Sequence, residues 1–125
     1  MGIQRNAADE LTARILYCVI RVHQILGPGF LENIYRRALV IEFRKCELDV
    51  KIEKEITIYY EGQEVGIHRL DLIVENKVIL ELKTVECLSK AHYAQLRAYL
   101  KATGLKTGLL INFSSDKADI RRLNA

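Results

Sequence analysis

Hydrophobic and polar positions along the chain follow first one period and then another. From about Ala7 to Leu26, Ala8, Leu11, Ile15, Cys18, Val19, Val22, Ile25 and Leu26 recur at helical spacing, and Asn6 with Asp9 makes a capping pair at the start. Gly27-Pro28-Gly29 breaks that helix. A second begins near Phe30 or Leu31, with Leu31, Ile34, Tyr35, Ala38 and Ile41 on one face and Arg36, Arg37 and Glu42 off it. From Asp49 to Tyr60 the period changes to two, because Val50, Ile52, Ile56, Ile58 and Tyr60 alternate with Lys51, Glu53 and Glu55, which predicts a long strand. Glu61 to Glu64 turns into the next arm. There Val65 and Ile67 hold odd positions before the apolar set moves to Leu70, Leu72 and Val74, and this switch predicts a bulge around His68 and Arg69. Further on, Ser89 caps a helix running to about Ala102 with Gly104 just past its end. Thr107 to Phe113 is a nearly continuous apolar run suited to a strand buried on both faces. The tail from Ser114 is polar, with one Ile and one Leu, and its pattern leaves open whether it docks.

The stretch Ile67 to Val85 organises the rest. Leu70, Leu72 and Val74 alternate along one arm and Val78, Leu80 and Leu82 along the other, so each set marks one face of a strand. A three-residue loop, Glu75-Asn76-Lys77, pairs Val74 with Val78, Leu72 with Leu80 and Leu70 with Leu82. That register sets Asp71 opposite Glu81, with Lys83 two residues on. Sliding it by one residue would set the carboxylates against leucines. Directly opposed like charges destabilise an antiparallel pair by roughly 0.2 to 1 kcal/mol, so the arrangement calls for something to offset it. A divalent cation held by the two acids would do so, Mg²⁺ in particular, which keeps several waters and takes only a few protein oxygens. A solvated polar face on an edge hairpin is the competing explanation. Glu32 carries the same ambiguity: an acid in a first helical turn is already favoured by the helix dipole, yet it could also reach a metal site.

Composition narrows the setting. The chain has 125 residues, of which 50% are hydrophobic, enough for one ordinary domain with a core of its own. Cys18, Cys46 and Cys87 are odd in number and show no C-x-x-C, which points to small buried hydrophobes in a reducing, cytoplasmic setting rather than to a disulfide framework or zinc site. No apolar run reaches the roughly 18 residues of a membrane span. The net charge of +3 permits a polyanionic partner without demanding one. His92, Gln95, Leu96 and Tyr99 share a face of the third helix. Lys90, Arg97 and Lys101 fall on another side and could track a phosphate backbone, a solvated stripe being the commoner explanation.

The order is thus helix, helix, three antiparallel strands, helix, strand, an α/β (α+β) fold with helices on a mixed four-stranded sheet. The helix between the last two strands should make them parallel. In this order the sequence resembles the GxxExxY proteins, small bacterial and archaeal proteins of the PD-(D/E)XK nuclease superfamily. Gly29-Phe-Leu-Glu32-Asn-Ile-Tyr35 carries the GxxExxY signature, and the resemblance runs on through LKATGLKTGLLINF. It implies a restriction-endonuclease-like core. By the same resemblance Asp71 is a metal ligand, Glu81 is the acid of E-x-K and a second ligand, Lys83 is its lysine, and Glu32 is a third ligand. Gln95 and Tyr99 fit a Q-x-x-x-Y element bordering such sites. No proline precedes Asp71; Leu70 stands there. The expected activity is hydrolysis of nucleic-acid phosphodiesters, DNA before RNA, with Mg²⁺ or Mn²⁺. Asp71, Glu81, Lys83 and Gln95 are the expected catalytic residues, and Tyr35, His68, Arg69, Lys90, His92, Arg97 and Tyr99 the expected substrate contacts. The alternative is a non-catalytic module that binds nucleic acid or a protein partner, such as a homodimer.

Overall fold

The computed structural model describes residues 7–125, with side chains from Asp9 onward, so the Asn6–Asp9 cap, through Asn6, and the Ala8 side chain lie outside what is described. Helix α1 spans Ala7–Leu26 and α2 spans Glu32–Lys45; strands β1, Val50–Tyr60, β2, Gln63–Val74, and β3, Val78–Lys83, follow. Helix α3, Lys90–Thr103, leads to β4, Thr107–Asn112, and the chain ends in β5, Asp119–Asn124. The sheet has five strands in the order β1-β2-β3-β4-β5, with β3 parallel to β4 and every other pair antiparallel. The fold class is therefore as expected, with one strand more. The polar tail docks as an edge strand on β4, where Leu110 faces Arg121 and Thr107 faces Asn124.

Two apolar layers sandwich the sheet. On one face, Leu11, Ile15, Cys18, Val19 and Val22 of α1 and Tyr35, Leu39 and Phe43 of α2 pack with Leu72, Val74, Val78, Leu80, Leu82, Leu109 and Ile111. On the other, Leu96, Tyr99 and Leu100 of α3 pack with Ile56, Leu70, Ile73, Ile79 and Leu110. Strand alternation accounts for the division in β3, sending Leu80 and Leu82 one way and Ile79 the other, so Glu81 and Lys83 share the α3 side. Helix α3 approaches closely because β4 carries Gly108: a Cβ there would lie 2.8 Å from Leu96 Cδ1. Ser89 caps α3 and Gly104 ends it at φ 74°.

Several expectations need correcting. The buried stripe of α2 is Tyr35, Leu39, Val40 and Phe43, whereas Leu31, Ile34 and Ile41 are exposed. Ile25 of α1 and Ile52 of β1 are exposed as well. Leu70 does not share a face with Leu72, because it packs on the α3 side and Leu72 on the other. The face swap thus falls at Asp71, not at His68 and Arg69, and Glu53 on the neighbouring strand carries a positive φ of 49° at the same level. The register shift of the β1–β2 ladder lies further out, between Ile58 and Tyr59. Cys87 is exposed rather than buried, and Cys18 and Cys46, 28 positions apart in the chain, bring their Sγ atoms to 3.7 Å. No helix among the described residues is long and apolar enough to cross a membrane.

Candidate active site

The site grows from the failure of the β2–β3 ladder. Near the turn the ladder is regular, pairing Val74 with Val78, Ile73 with Ile79 and Leu72 with Leu80. Beyond Leu72 the expected pairs Leu70–Leu82 and Asp71–Glu81 do not form as ladder pairs. Side chains replace the backbone acceptors instead: the Leu82 N–H donates to Asp71 Oδ2 at 2.8 Å, and the Asp71 N–H donates to Glu81 Oε1 at 3.3 Å. Each carboxylate thereby satisfies an N–H that the splayed strands leave open. The two acids are held side by side by the strands themselves, each accepting from a backbone N–H of the strand opposite.

Burial and mutual charge strain this pair. Glu81 is 5% exposed. Its carboxyl is pushed up to about 8, first by burial and then by the Asp71 charge, against the pull of the Asp71 N–H and the Lys83 ammonium. Tyr99, across on α3, has its phenol pushed up by burial and then by the charges of Glu81 and Asp71, which puts it within the field of both. Asp71 has another partner: Arg36 of α2 sets Nη1 3.5 Å from Asp71 Oδ1 and Nη2 3.1 Å from Glu53 Oε1. The sequence reading did not assign Arg36 a role. The signal that points to it is its spacing of four from Glu32 on the same helix, which sets the two on one stripe.

The structure gathers some of the expected residues and separates others. Asp71, Glu81 and Lys83 lie together, with Tyr99 beside them. Gln95, His68 and Tyr99 line a cleft of about 690 Å³ between the outer part of the β1–β2 hairpin and α3, and the His68 and Tyr99 rings are 5.4 Å apart. Thr57, Ile58 and Tyr59 line the same cleft without having been assigned to the site from sequence, and of the basic stripe Lys90, Arg97 and Lys101 only Lys101 lines it. Glu32 does not complete a cluster: among the described residues no three His, Cys, Asp or Glu side chains come together as a metal-holding group. Tyr35 is no substrate contact. It is fully buried, stacks on Phe113 at 4.3 Å, accepts from the Phe30 N–H and donates to the Gly27 carbonyl at 2.6 Å, clamping the helix break. His92 is a capping residue whose Nδ1 accepts from the Ser89 N–H at 3.0 Å. Arg69 pairs with Glu55 at 3.3 Å, and Lys90 and Arg97 are exposed away from the cleft lining. Asn112, also missed, is buried and pins the segment after β3, its Nδ2 donating to the Val85 carbonyl at 2.8 Å and its Oδ1 accepting from the Val85 N–H at 3.1 Å.

Two carboxylates and a lysine on adjoining strands form a hard-oxygen donor set with a cationic neighbour. Such a set suits a divalent cation held by one or two protein oxygens and completed by water or phosphate, and it does not suit a soft metal.

A solved structure shares this architecture. The crystal structure of SSO0001 superimposes with a TM-score of 0.55 at 21% identity, covering 93% of this chain and 58% of that one, so the chain spans a little over half the length of that neighbour. An alkaline exonuclease (LHK-Exo) from Laribacter hongkongensis is a more distant neighbour, with a TM-score of 0.45 and 10% identity over 98% of this chain and 72% of that one. No curated protein matches the sequence. The model of the PD-(D/E)XK nuclease superfamily matches residues 9–123, and with that match over nearly all of its length the chain belongs to this superfamily.

Proposed function

We propose that the protein is a divalent-cation-dependent nuclease that hydrolyses phosphodiester bonds of nucleic acid, DNA in preference to RNA. The observation that carries this is the Asp71–Glu81 pair, two neighbouring carboxyl groups with Glu81 nine-tenths or more buried and its proton affinity raised. Membership of a nuclease superfamily supports it. Asp71 and Glu81 would hold Mg²⁺ or Mn²⁺, and Glu32, one turn before Arg36 on α2, is retained as an outer contributor. When bound, the cation offsets negative charge developing on the phosphoryl oxygens and makes a nearby water more acidic. The chain's own residues do the rest. The Lys83 ammonium, beside Glu81, orients the attacking water by hydrogen bonding. Gln95, His68 and Tyr99 line the path by which the strand reaches the acids, and their fixed positions on α3 and β2 restrict the phosphate to one approach.

A second reading is favoured by one observation. Arg36 already neutralises Asp71 without any metal, as it would in a module that binds nucleic acid and does not cut. The two separate on incubation with single- and double-stranded DNA and RNA in Mg²⁺, in Mn²⁺ and in EDTA. The nuclease reading expects cleavage that EDTA stops and that Glu81→Ala and Lys83→Ala each remove; strand scission that survives both substitutions would discard it.

A further inference from the structure

The cleft lined by Tyr99 has a continuation. A second hollow of about 300 Å³ adjoins it, and the two share Thr57, Tyr59 and Ala102, so they form one furrow running between β1 and the C-terminal half of α3. Among the described residues, the lining of the furrow contains no Asp or Glu, while Lys101 stands on one part and Lys54 on the other. A furrow of that length with cations and no anions fits a polyanion better than a small ligand. Its remaining walls are uncharged, with Ile56, Ile58, Ile73 and Leu105 as the apolar part and Tyr59 and Tyr99 as the phenol rings.

The backbone has been bent to make it so. Thr57, Ile58 and Tyr59 are consecutive, and in a regular strand they would alternate between faces. All three border the same hollow, and the register shift between Ile58 and Tyr59 accounts for the last two doing so together. Tyr59 stands 66% exposed and, with Thr57 and Ala102, belongs to the lining of both hollows.

From this we infer that the furrow is a seat for unpaired nucleobases, in which Tyr59 stacks on a base of a single strand while Lys101 and Lys54 track its phosphates. The inference rests on the nuclease reading for its direction, since Tyr99 belongs both to the furrow and to the field of Glu81 and Asp71 and so joins seat to site. What the furrow offers beyond charge is a π-face and an apolar floor. These reward a base whose own faces are free, and a duplex presents phosphates outside with its bases already stacked.

The test is fluorescence anisotropy in EDTA, where nothing is cut, using 5′-fluorescein oligonucleotides of single-stranded DNA, single-stranded RNA, single-stranded DNA with abasic residues, and blunt duplex. The seat expects intact single strands to bind about tenfold more tightly than duplex and than abasic strands. Tyr59→Ala should lose about tenfold in single-strand affinity and Tyr59→Phe should retain it. Lys101→Ala should lower the slope of log affinity against log salt by about 0.7. Tyr59→Ala binding as wild type, duplex binding as well as single strands, or no binding of any oligonucleotide would each overturn it. Failure of the nuclease reading looks different: single strands still bind in EDTA and lose that binding with Tyr59→Ala, yet no cleavage follows when Mg²⁺ is added.

Discussion

The two ends of the β2–β3 hairpin are built from the same strands and behave in opposite ways. At the turn end, Leu72, Ile73, Val74, Val78, Ile79 and Leu80 are buried, their backbones paired, and the alternating side chains fill both layers of the core. At the other end, Leu70 has changed face, the ladder has opened, and the carboxylates of Asp71 and Glu81 take the N–H groups that the opposite strand no longer accepts. The first end gains from burial at no electrostatic expense. The second forgoes ladder bonds and crowds two carboxyl groups so that Glu81 keeps its proton, which makes sense as the cost of holding two oxygen donors at fixed positions.

The comparison can be broken most severely at the stable end. Leu80→Ala removes a fully buried side chain from the α1–α2 layer and should lower unfolding free energy by about 2–5 kcal/mol in urea titration, with cleavage lost only as the folded fraction falls. At the other end Lys83→Ala should leave the urea midpoint nearly unchanged and slow Mg²⁺-dependent cleavage by about 10²–10³-fold, measured as single-turnover rate. A Lys83→Ala variant as fast as wild type would remove Lys83 from the chemistry.

Acidity sharpens the contrast. In the metal-free protein Glu81 holds its proton up to about 8, whereas in the unfolded chain it ionises near 4.5. Between those values the folded state binds more protons than the unfolded one, so the contribution is fully present below 4.5 and is lost as pH rises through about 8. Thermal melts in EDTA should therefore show Tm falling across that range, and Glu81→Gln should flatten the fall. Parallel pH profiles for the two proteins would mean that the pair is not strained. The smallest effect belongs to Arg36. Arg36→Met removes the competitor for Asp71, and Mn²⁺ titration should show affinity tightened a few-fold; weaker binding would instead make Arg36 a support for the site.

How far the sequence announced these features depended on what kind of interaction makes them. The hairpin loop, the cap at Ser89, the stop at Gly104 and the buried β4 were legible because each is a local rule written in neighbouring residues. Glu81 and Lys83 were legible through the alternation of Leu80 and Leu82, whereas the parity placed on Asp71 assumed Leu70 and Leu72 on one face, which the swap at Asp71 overturns. The buried stripe of α2 was not, because that helix carries apolar residues on more than one side and only the packing of α1 and the sheet selects Leu39, Val40 and Phe43 over Ile34 and Ile41. β5 was hidden for a related reason: it is joined to β4 by backbone hydrogen bonds, which leave no trace in side-chain pattern. Arg36 was hidden by distance, its partners Glu53 and Asp71 lying 17 and 35 positions further along the chain. The site was thus half visible, as two acids and a lysine, while the cation that balances one of them and the aromatic furrow leading to them exist only in the folded chain.

Divalent binding to the acids is the point on which the account turns. Isothermal titration of Mn²⁺ into wild type, Asp71→Asn and Glu81→Gln measures it without requiring cleavage. The account predicts saturable uptake by wild type that either substitution abolishes or weakens at least tenfold. Uptake by both variants equal to that of wild type, or none by wild type, would contradict it.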